Sequence, residues 1–300
     1  MGFAGKIHPR PAIVALFIFA AILLLSLPVY LSAEEEEAKK DITCDMEVGA
    51  RYEPSRGAKA QAGDVEIVKT EATFNYNLKA FGKLPVKLYL YNKYTGIDNT
   101  VTDVRLPSRL IELATGIETT LPFFDFDKTY FRIGLEPSFY SDSWEFTSSN
   151  FRIPSRFYAI YMPDPKWVFL CGLAVFPDTQ TPFFPVLGFI YKPNDRLTFH
   201  IAPKRPNITY KLTDKISVFT EGSFSLNNEY EVKYDDTRTA VLRYYESYFG
   251  GGVGYKFNKY IQATLSVGGN FRRRLTYNDS LGKINIKDGL YTQLRVTITP

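Results

Sequence analysis

The chain has 300 residues, 36 basic and 32 acidic, with 45% hydrophobic and 16% aromatic side chains. This excludes a disordered chain, which is poor in apolar residues, and a net charge of +4 is too small to point to nucleic acid as a partner. Two cysteines and two histidines exclude a structural zinc site of about four such ligands, and the excess lies in 24 Phe and 21 Tyr against 3 Met.

Residues 1–33 read as a secretory signal. Lys6 and Arg10 form a basic start, Ala12 to Leu27 an apolar run, Pro28 a helix break, and Leu31-Ser32-Ala33 a small-residue end before Glu34. An uncleaved anchor is the alternative, because residues 12–31 approach the ~20 needed to span a bilayer. Ser26, Pro28 and the acidic run Glu34 to Glu37 favour cleavage. Cys44 stands too far beyond the cut to carry a lipid. The expectation is export through the Sec pathway, leaving an acidic segment at 34–42 and a single domain at 43–300.

From residue 43 the pattern has period two. Cys44, Met46, Val48, Ala50 and Tyr52 alternate with Asp45, Glu47, Gly49 and Arg51; Ala72, Phe74, Tyr76 and Leu78 with Thr73, Asn75, Asn77 and Lys79. The same alternation runs through 245–257, 261–272 and 290–298. Candidate strands fall at 43–52, 64–80, 86–94, 109–121, 129–138, 150–161, 166–176, 184–191, 195–202, 205–212, 216–232, 240–257, 260–277 and 290–299. Short turns (81–85, 162–165, 192–194, 213–215, 258–260) alternate with longer polar loops (53–63, 95–108, 139–149, 177–183, 233–239, 278–289). Both termini then lie on the short-turn, periplasmic side. The weak place is 195–212, where two short strands meet at Pro203-Lys204-Arg205-Pro206, so twelve strands stay possible beside fourteen. Residues 106–117 also fit helical spacing, with Leu106, Leu110, Leu113 and Ile117 on one side. Residues 167–176 are apolar on both faces, implying a greasy lumen or a plug there.

Alternation has two physical solutions: a soluble barrel with its apolar face inside, or a membrane barrel with that face toward lipid. Strand length, aromatic residues near segment ends, and Arg, Glu and Asn among small residues on the polar face favour an all-β, antiparallel transmembrane β-barrel of 12–14 strands.

The glycines at 250, 251, 252 and 254 lack a following helix and fit a phosphate loop poorly; on a strand, Gly250, Gly252 and Gly254 leave room for bulky lumen side chains. A short turn at 258–260 sets Glu246 opposite Arg272 and Tyr244 opposite Arg274. The lumen-lining candidates are Arg132, Glu136, Arg156, Lys211, Glu221, Glu246, Lys256, Arg272 and Arg274, either a slightly cationic interior or a set of packing ion pairs. Enzyme chemistry is poorly served. His200 has Ala202, not a serine, two positions on, and Asp235-Asp236 suits an acidic loop. No catalytic residue, metal or cofactor is assigned. Cys44 and Cys171 fall on lipid-facing phases of distant strands and are expected to be free.

Residues 105–280 resemble an uncharacterised family of bacterial outer-membrane β-barrels. The likeness lies in Pro185-Val-Leu-Gly188, Lys192-Pro193-Asn194-Asp195, Pro203 before Tyr210, Tyr245-Glu246, the Gly250 to Gly254 run and Arg273-Arg274-Leu275-Thr276-Tyr277. Membership implies an outer-membrane barrel and nothing sharper, because the family's activity is itself unassigned; outer-membrane lipid and the barrel-assembly machinery of a Gram-negative cell are the expected partners. One departure is the ending Ile298-Thr299-Pro300, where many such barrels carry a terminal aromatic. The expected function is a small-solute diffusion channel or uptake pore. The alternatives are a structural or surface-contact barrel, a lipid-modifying enzyme using His200, and a soluble carrier of an apolar ligand.

Overall fold

Unbroken alternation with few helix-forming stretches leaves the backbone one way to satisfy its polar groups, which is to pair strand with strand. The computed structural model describes residues 43–299 apart from 60–61, 81–83, 124–126, 203–204, 225–227, 236–237 and 279–280. The signal, the acidic segment, Pro203, Lys204 and Asp236 therefore lie outside the described residues.

The strands are β1 (Thr43–Lys59), β2 (Asp64–Ala80), β3 (Leu84–Asn99), β4 (Arg109–Pro122), β5 (Thr129–Leu135) and β6 (Ser138–Ser141). Next come β7 (Phe151–Arg152), β8 (Ser155–Asp164), β9 (Trp167–Val175), β10 (Phe183–Tyr191), β11 (Leu197–Ile201) and β12 (Asn207–Lys211). The chain ends with β13 (Ile216–Phe224), β14 (Glu229–Lys233), β15 (Thr239–Lys256), β16 (Ile261–Tyr277), β17 (Lys283–Ile286) and β18 (Gly289–Ile298). Four pairs, β5/β6, β7/β8, β13/β14 and β17/β18, are halves of interrupted strands, so the wall is a closed antiparallel barrel of 14 strands. Pro137 and Pro154 cause the first two interruptions, since neither can donate to the ladder; their carbonyls still accept from Thr115 (2.9 Å) and Glu136 (2.8 Å). Antiparallel pairing of β1 with β18, from Met46↔Ile298 to Tyr52↔Thr292, shuts the barrel. Residues 106–117 lie partly in β4, laddered against β3 from Gly96↔Arg109 to Val86↔Thr119, which decides strand over helix.

At the short-turn end the outer face is apolar. Phe74, Val253 and Leu265 are 44%, 50% and 55% exposed, while Asn75 on the opposite phase is buried. Aromatic rings girdle this end: Trp167 stacks on Tyr191 (4.0 Å between centroids) and on Phe169 (5.2 Å), and Tyr191 stacks on Phe199 (5.9 Å). Such an exposed apolar band with an aromatic rim is what lipid selects on a barrel wall.

The other end differs from the expected long loops. Parts of 53–63, 95–108, 139–149, 233–239 and 278–289 are strand: β1 runs on to Lys59, β3 to Asn99, β6 to Ser141, and β17 is added. Here the inner face turns apolar. Val65, Ile67, Ile97, Leu110, Leu242, Leu275, Ile284 and Ile286 pack together, nearly all of them inaccessible to solvent. A single parallel bridge, Glu231↔Ser141, joins β14 to β6. It makes β17, β1, β2, β3, β4, β6, β14, β15 and β16 a second, smaller ring that seals this end over a dry core. Leu106 packs against that core, and Tyr277 donates to the Arg105 carbonyl at 2.7 Å. Burial, aided by Tyr234 and Asp142, holds the Tyr277 phenol above its ordinary range.

A truncation inside this cap must cost more than one on the belt. Leu242→Ala is expected to lower stability by about 2–5 kcal/mol, and Leu265→Arg by about 2–4 kcal/mol only when the barrel is in lipid. Urea unfolding, read by electrophoretic mobility in vesicles and in detergent, separates the two. Equal losses in both media for Leu265→Arg would contradict the outward assignment.

Candidate functional site: the charged and apolar lumen

Cross-strand partners share a face, so the inner surface can be followed round the wall: Arg156↔Ala174, Ala174↔Phe184, Ile190↔His200, His200↔Asn207, Asn207↔Glu221, Glu221↔Gly250, Gly250↔Gly268 and Gly268↔Tyr291. Gly250 and Gly252 sit where Tyr291 and Phe219 fill the interior; an added Cβ on Gly252 would stand 2.8 Å from the Phe219 ring.

Directly under the cap lies a layer of buried charge. Lys69 donates to Glu53 Oε1 at 2.6 Å and also to Glu246. Arg273 reaches Glu53 Oε2 at 3.2 Å and the Lys287 carbonyl at 2.6 Å. Arg51 donates to Gln293 at 2.8 Å, lies 3.7 Å from Glu246, and stacks over Tyr248 (3.7 Å) and Tyr291 (4.5 Å). Tyr244 adds a hydroxyl donor to Glu246 at 3.2 Å. Three cations thus face two carboxylates in a site closed to water.

Nearer mid-height the lumen is bridged. Arg205, between β11 and β12, pairs with Glu47 on β1 (2.9 Å) and Glu71 on β2 (3.4 Å), almost diametrically across the barrel. Arg295 joins Glu47 (3.3 Å) to Glu221 (3.3 Å), and Ser266 donates to Glu221 at 3.1 Å.

The flank formed by β8, β9 and β10 is different. Ile160, Val168, Leu170, Ala174, Phe184, Val186 and Ile190 share the inward phase. This is the greasy lumen allowed for by the two-faced apolar run at 167–176. The apolar stretch thus covers β9, β10 and the Ile160 end of β8, while Arg156 at the other end of β8 belongs to the charged part of the interior.

Of the sequence candidates, Arg156 pairs with Glu136 at 2.6 Å and donates to Tyr89 at 3.2 Å. Arg132 meets Glu118 at 3.5 Å and Thr120 at 3.0 Å. Glu221 and Glu246 take the places described above. Lys211 and Lys256 lie exposed at the short-turn rim. Arg272 and Arg274 need correction, because the expected opposition to Glu246 and Tyr244 does not form. β16 carries a bulge: the register moves from Ser247↔Phe271 to Tyr245↔Arg274, so Glu246 faces two residues, and Arg272 (φ 55°) turns outward. Arg273 takes the inward place, Tyr244 meets Leu275, and Arg274 stacks on Tyr245 outside at 4.4 Å. Inward His200 lies 3.4 Å from the Asn207 amide, and Asp235 pairs with Arg238 at 3.2 Å. Cys44 and Cys171 are free.

Residues 39–288 match the model of a family described as a domain of unknown function (DUF6268). The chain belongs to that family. No functionally curated protein matches it. Among solved structures it is similar to a Pseudomonas aeruginosa FadL homologue (10% identity, 86% of this chain and 90% of that one, TM-score 0.49). It is also similar to the P. putida toluene transporter TodX (11%, 88% and 91%, 0.45) and to an outer membrane channel from Pseudomonas putida F1 (8%, 89% and 98%, 0.46). At these identities and scores the likenesses assign nothing beyond what the strand pairing of this chain already shows, a barrel of the outer-membrane type.

Sequence reasoning missed Lys69, Glu53, Arg273 and Arg205. Lys69 and Glu71 continue the polar phase of Thr73 and Asn75, so extending the alternation outward would have found them. Arg273 depends on the bulge, which the short turn at 258–260 does not reveal.

Two substitutions test this layer by thermal loss of the folded electrophoretic form. Lys69→Met strands two buried carboxylates against each other and is expected to cost about 3–5 kcal/mol, partly recovered by adding Glu246→Gln. Arg272→Gly relieves a left-handed residue and should raise stability by about 1 kcal/mol; a loss instead would mean that the outward guanidinium holds the bulge.

Proposed function

We propose that this family member is an outer-membrane channel that takes up a small solute through a side-chain-lined lumen, rather than an open diffusion pore. The observation that carries the reading is the filled interior: Arg205, Arg295, Glu47 and Glu71 bridge the lumen opposite an apolar stretch on β9 and β10, beneath a cap with a dry core. A general pore needs a continuous wet path, whereas a partly filled lumen suits selective passage. In this reading residues 1–33 are a cleaved signal used by the Sec pathway, 34–42 an acidic segment, and 43–300 the barrel. The barrel-assembly machinery inserts it into outer-membrane lipid with the short turns periplasmic. Arg132, Glu136, Arg156, Glu221 and Glu246 line the lumen together with Arg51, Lys69 and Arg205. A contact barrel without transport is the second reading, favoured by how many side chains cross the interior.

Conductance of the refolded chain in a planar bilayer tests the closure. The wild type is expected to pass ions far less readily than an open barrel of this strand number, and Arg205→Ala to raise the conductance by about twofold or more, because the cross-lumen bridge is gone. Steady open-pore currents from the wild type would defeat the sealed reading. No uptake of any small solute by expressing cells would favour the contact barrel.

A further inference from the structure

On β15 to β18 the outer face of the wall changes character within a few residues. Phe249, Val267 and Leu290 point outward in the apolar belt, 61%, 60% and 65% exposed. Toward the cap the same face carries Arg272 and Arg274 on β16, and Lys287 between β17 and β18. Tyr245, Arg274 and Asn285 form one outward cross-strand row. The register of β16 against its neighbour is the same on either side of the 287–288 break, with Arg274↔Asn285 above and Asn270↔Gly289 below. Arg272 and Lys287 therefore stand at one level on adjacent strands. Opposed residues are about 5 Å apart across a ladder and alternate residues about 7 Å apart along a strand. All three cations can reach a single tetrahedral anion.

Like charges held this close repel, and the protein supplies them little compensation. Among the described residues none of the three is in an ion pair. The carboxylates nearby are engaged elsewhere: Glu229 with Arg243 at 2.8 Å, and Asp288 with Lys59 at 3.5 Å. Asp64 also reaches this face, its Oδ1 and the Lys287 ammonium lying 3.5 and 3.2 Å from where a Cβ on Gly57 would stand. That leaves an excess of positive charge. Arg274 lies over the Tyr245 ring at 4.4 Å, and its Nε is shielded from water without a hydrogen-bond partner. Arg272 holds a left-handed backbone (φ 55°), a conformation that glycine adopts without strain. A strained arginine at an exposed position points to a use for its guanidinium.

We propose that Arg272, Arg274 and Lys287 bind the phosphate of a lipid headgroup in the leaflet that surrounds the cap end. The wall offers a surface for each half of such a ligand. Acyl chains lie against Phe249, Val267 and Leu290, and the phosphate meets the cations where the hydrocarbon ends. Guanidinium forks match phosphate oxygens in geometry as well as charge. A phosphomonoester carries about 1.5 to 2 negative charges at neutral pH and suits three cations better than the single charge of a diester. The inference concerns the outer wall and is independent of whether the lumen conducts.

Native mass spectrometry of the refolded chain in dodecyl maltoside tests the site, with phosphatidic acid, phosphatidylglycerol and phosphatidylcholine as probes. Phosphatidic acid is expected to bind about tenfold or more tightly than phosphatidylcholine, with phosphatidylglycerol between them. Arg272→Asn with Arg274→Gln and Lys287→Gln should weaken phosphatidic acid about tenfold and leave phosphatidylcholine unchanged; asparagine accepts the left-handed backbone. Lys211→Gln with Lys256→Gln, which removes exposed cations of the opposite rim, should leave all three affinities as they are. Unchanged heat-modified mobility shows that a variant is folded. Should the triple variant not fold, Arg274→Gln with Lys287→Gln spares the bulge and is expected to cost about threefold in affinity. Equal affinity for phosphatidic acid and phosphatidylcholine overturns the proposal. Equal weakening by the two sets of substitutions assigns the attraction to overall charge and also overturns it. Inorganic phosphate that displaces phosphatidic acid mole for mole assigns the patch to a soluble anion and overturns the lipid headgroup.

Discussion

Hydrocarbon offers no partner to an amide, so the ladder must satisfy every backbone group of the wall itself. This one constraint orders the whole molecule. It requires β1 to find β18, and the pairing from Met46↔Ile298 to Tyr52↔Thr292 supplies that closure. It also makes the short β11–β12 hairpin informative, because beside it the Phe183–Gly188 edge of β10 is paired only with β9 among the described residues. Elsewhere the sequence keeps strands long and alternation strict, as a wall without edges demands.

Closure in lipid and closure in water ask opposite things of a strand's two faces, and this chain does both in succession. Along β2 the inward phase reads Asn75, Thr73, Glu71 and Lys69, then Ile67 and Val65. Along β15 it reads glycines, then Tyr248 and Glu246, then Tyr244, Leu242 and Ala240. The charge layer marks the change. Three neighbouring strands reach the dry core only by slipping phase by one residue at that level: β16 at Arg272, β1 between Glu53 and Arg56, and β17/β18 at 287–288. A one-residue slip exchanges faces. Without it Arg274 and Thr276, not Leu275 and Tyr277, would point into the cap. The buried ion pairs contribute little net stability by themselves. Their position suggests another role: Lys69 and Arg273 hold Glu53 where the strand must change face, so they fix register.

Alternation carried most of the fold. Strand positions, the parity of the wall, the outward placement of Phe74, Val253 and Leu265, and the short turns are all properties of local sequence with period two. What was not legible depends on partners distant in the chain. The bulge at Arg272 follows from how β16 must serve the cap as well as the belt, and nothing at the 258–260 turn encodes it. Residues 53–59 read as loop because Pro54, Ser55 and Gly57 are turn formers among charged neighbours, and 283–286 because only Ile284 and Ile286 alternate there, with their apolar face pointing inward against the sense of the membrane segment. Soluble and membrane barrels were weighed as alternatives, whereas the structure stacks one on the other. Arg205 was visible only as part of a proline-rich turn; its reach to Glu47 and Glu71 requires knowing that β11 and β12 are too short to hold that turn above the lumen.

The same shortness ties the lumen to the wall. A full-length hairpin at 195–212 would have carried Arg205 clear of β1 and β2, beyond the reach of Glu47 and Glu71, and would have covered the Phe183–Gly188 edge. Truncating it places a guanidinium inside the barrel and leaves the Phe183–Gly188 edge of β10 paired only with β9 among the described residues. Charge therefore accumulates on β1, β2 and β18, where Glu47, Glu71 and Arg295 answer Arg205, and apolar side chains on β9 and β10, next to that edge. The cross-lumen bridge of Arg205 and the unpaired edge of β10 are then two consequences of one short hairpin, and a family member with longer strands there should have neither.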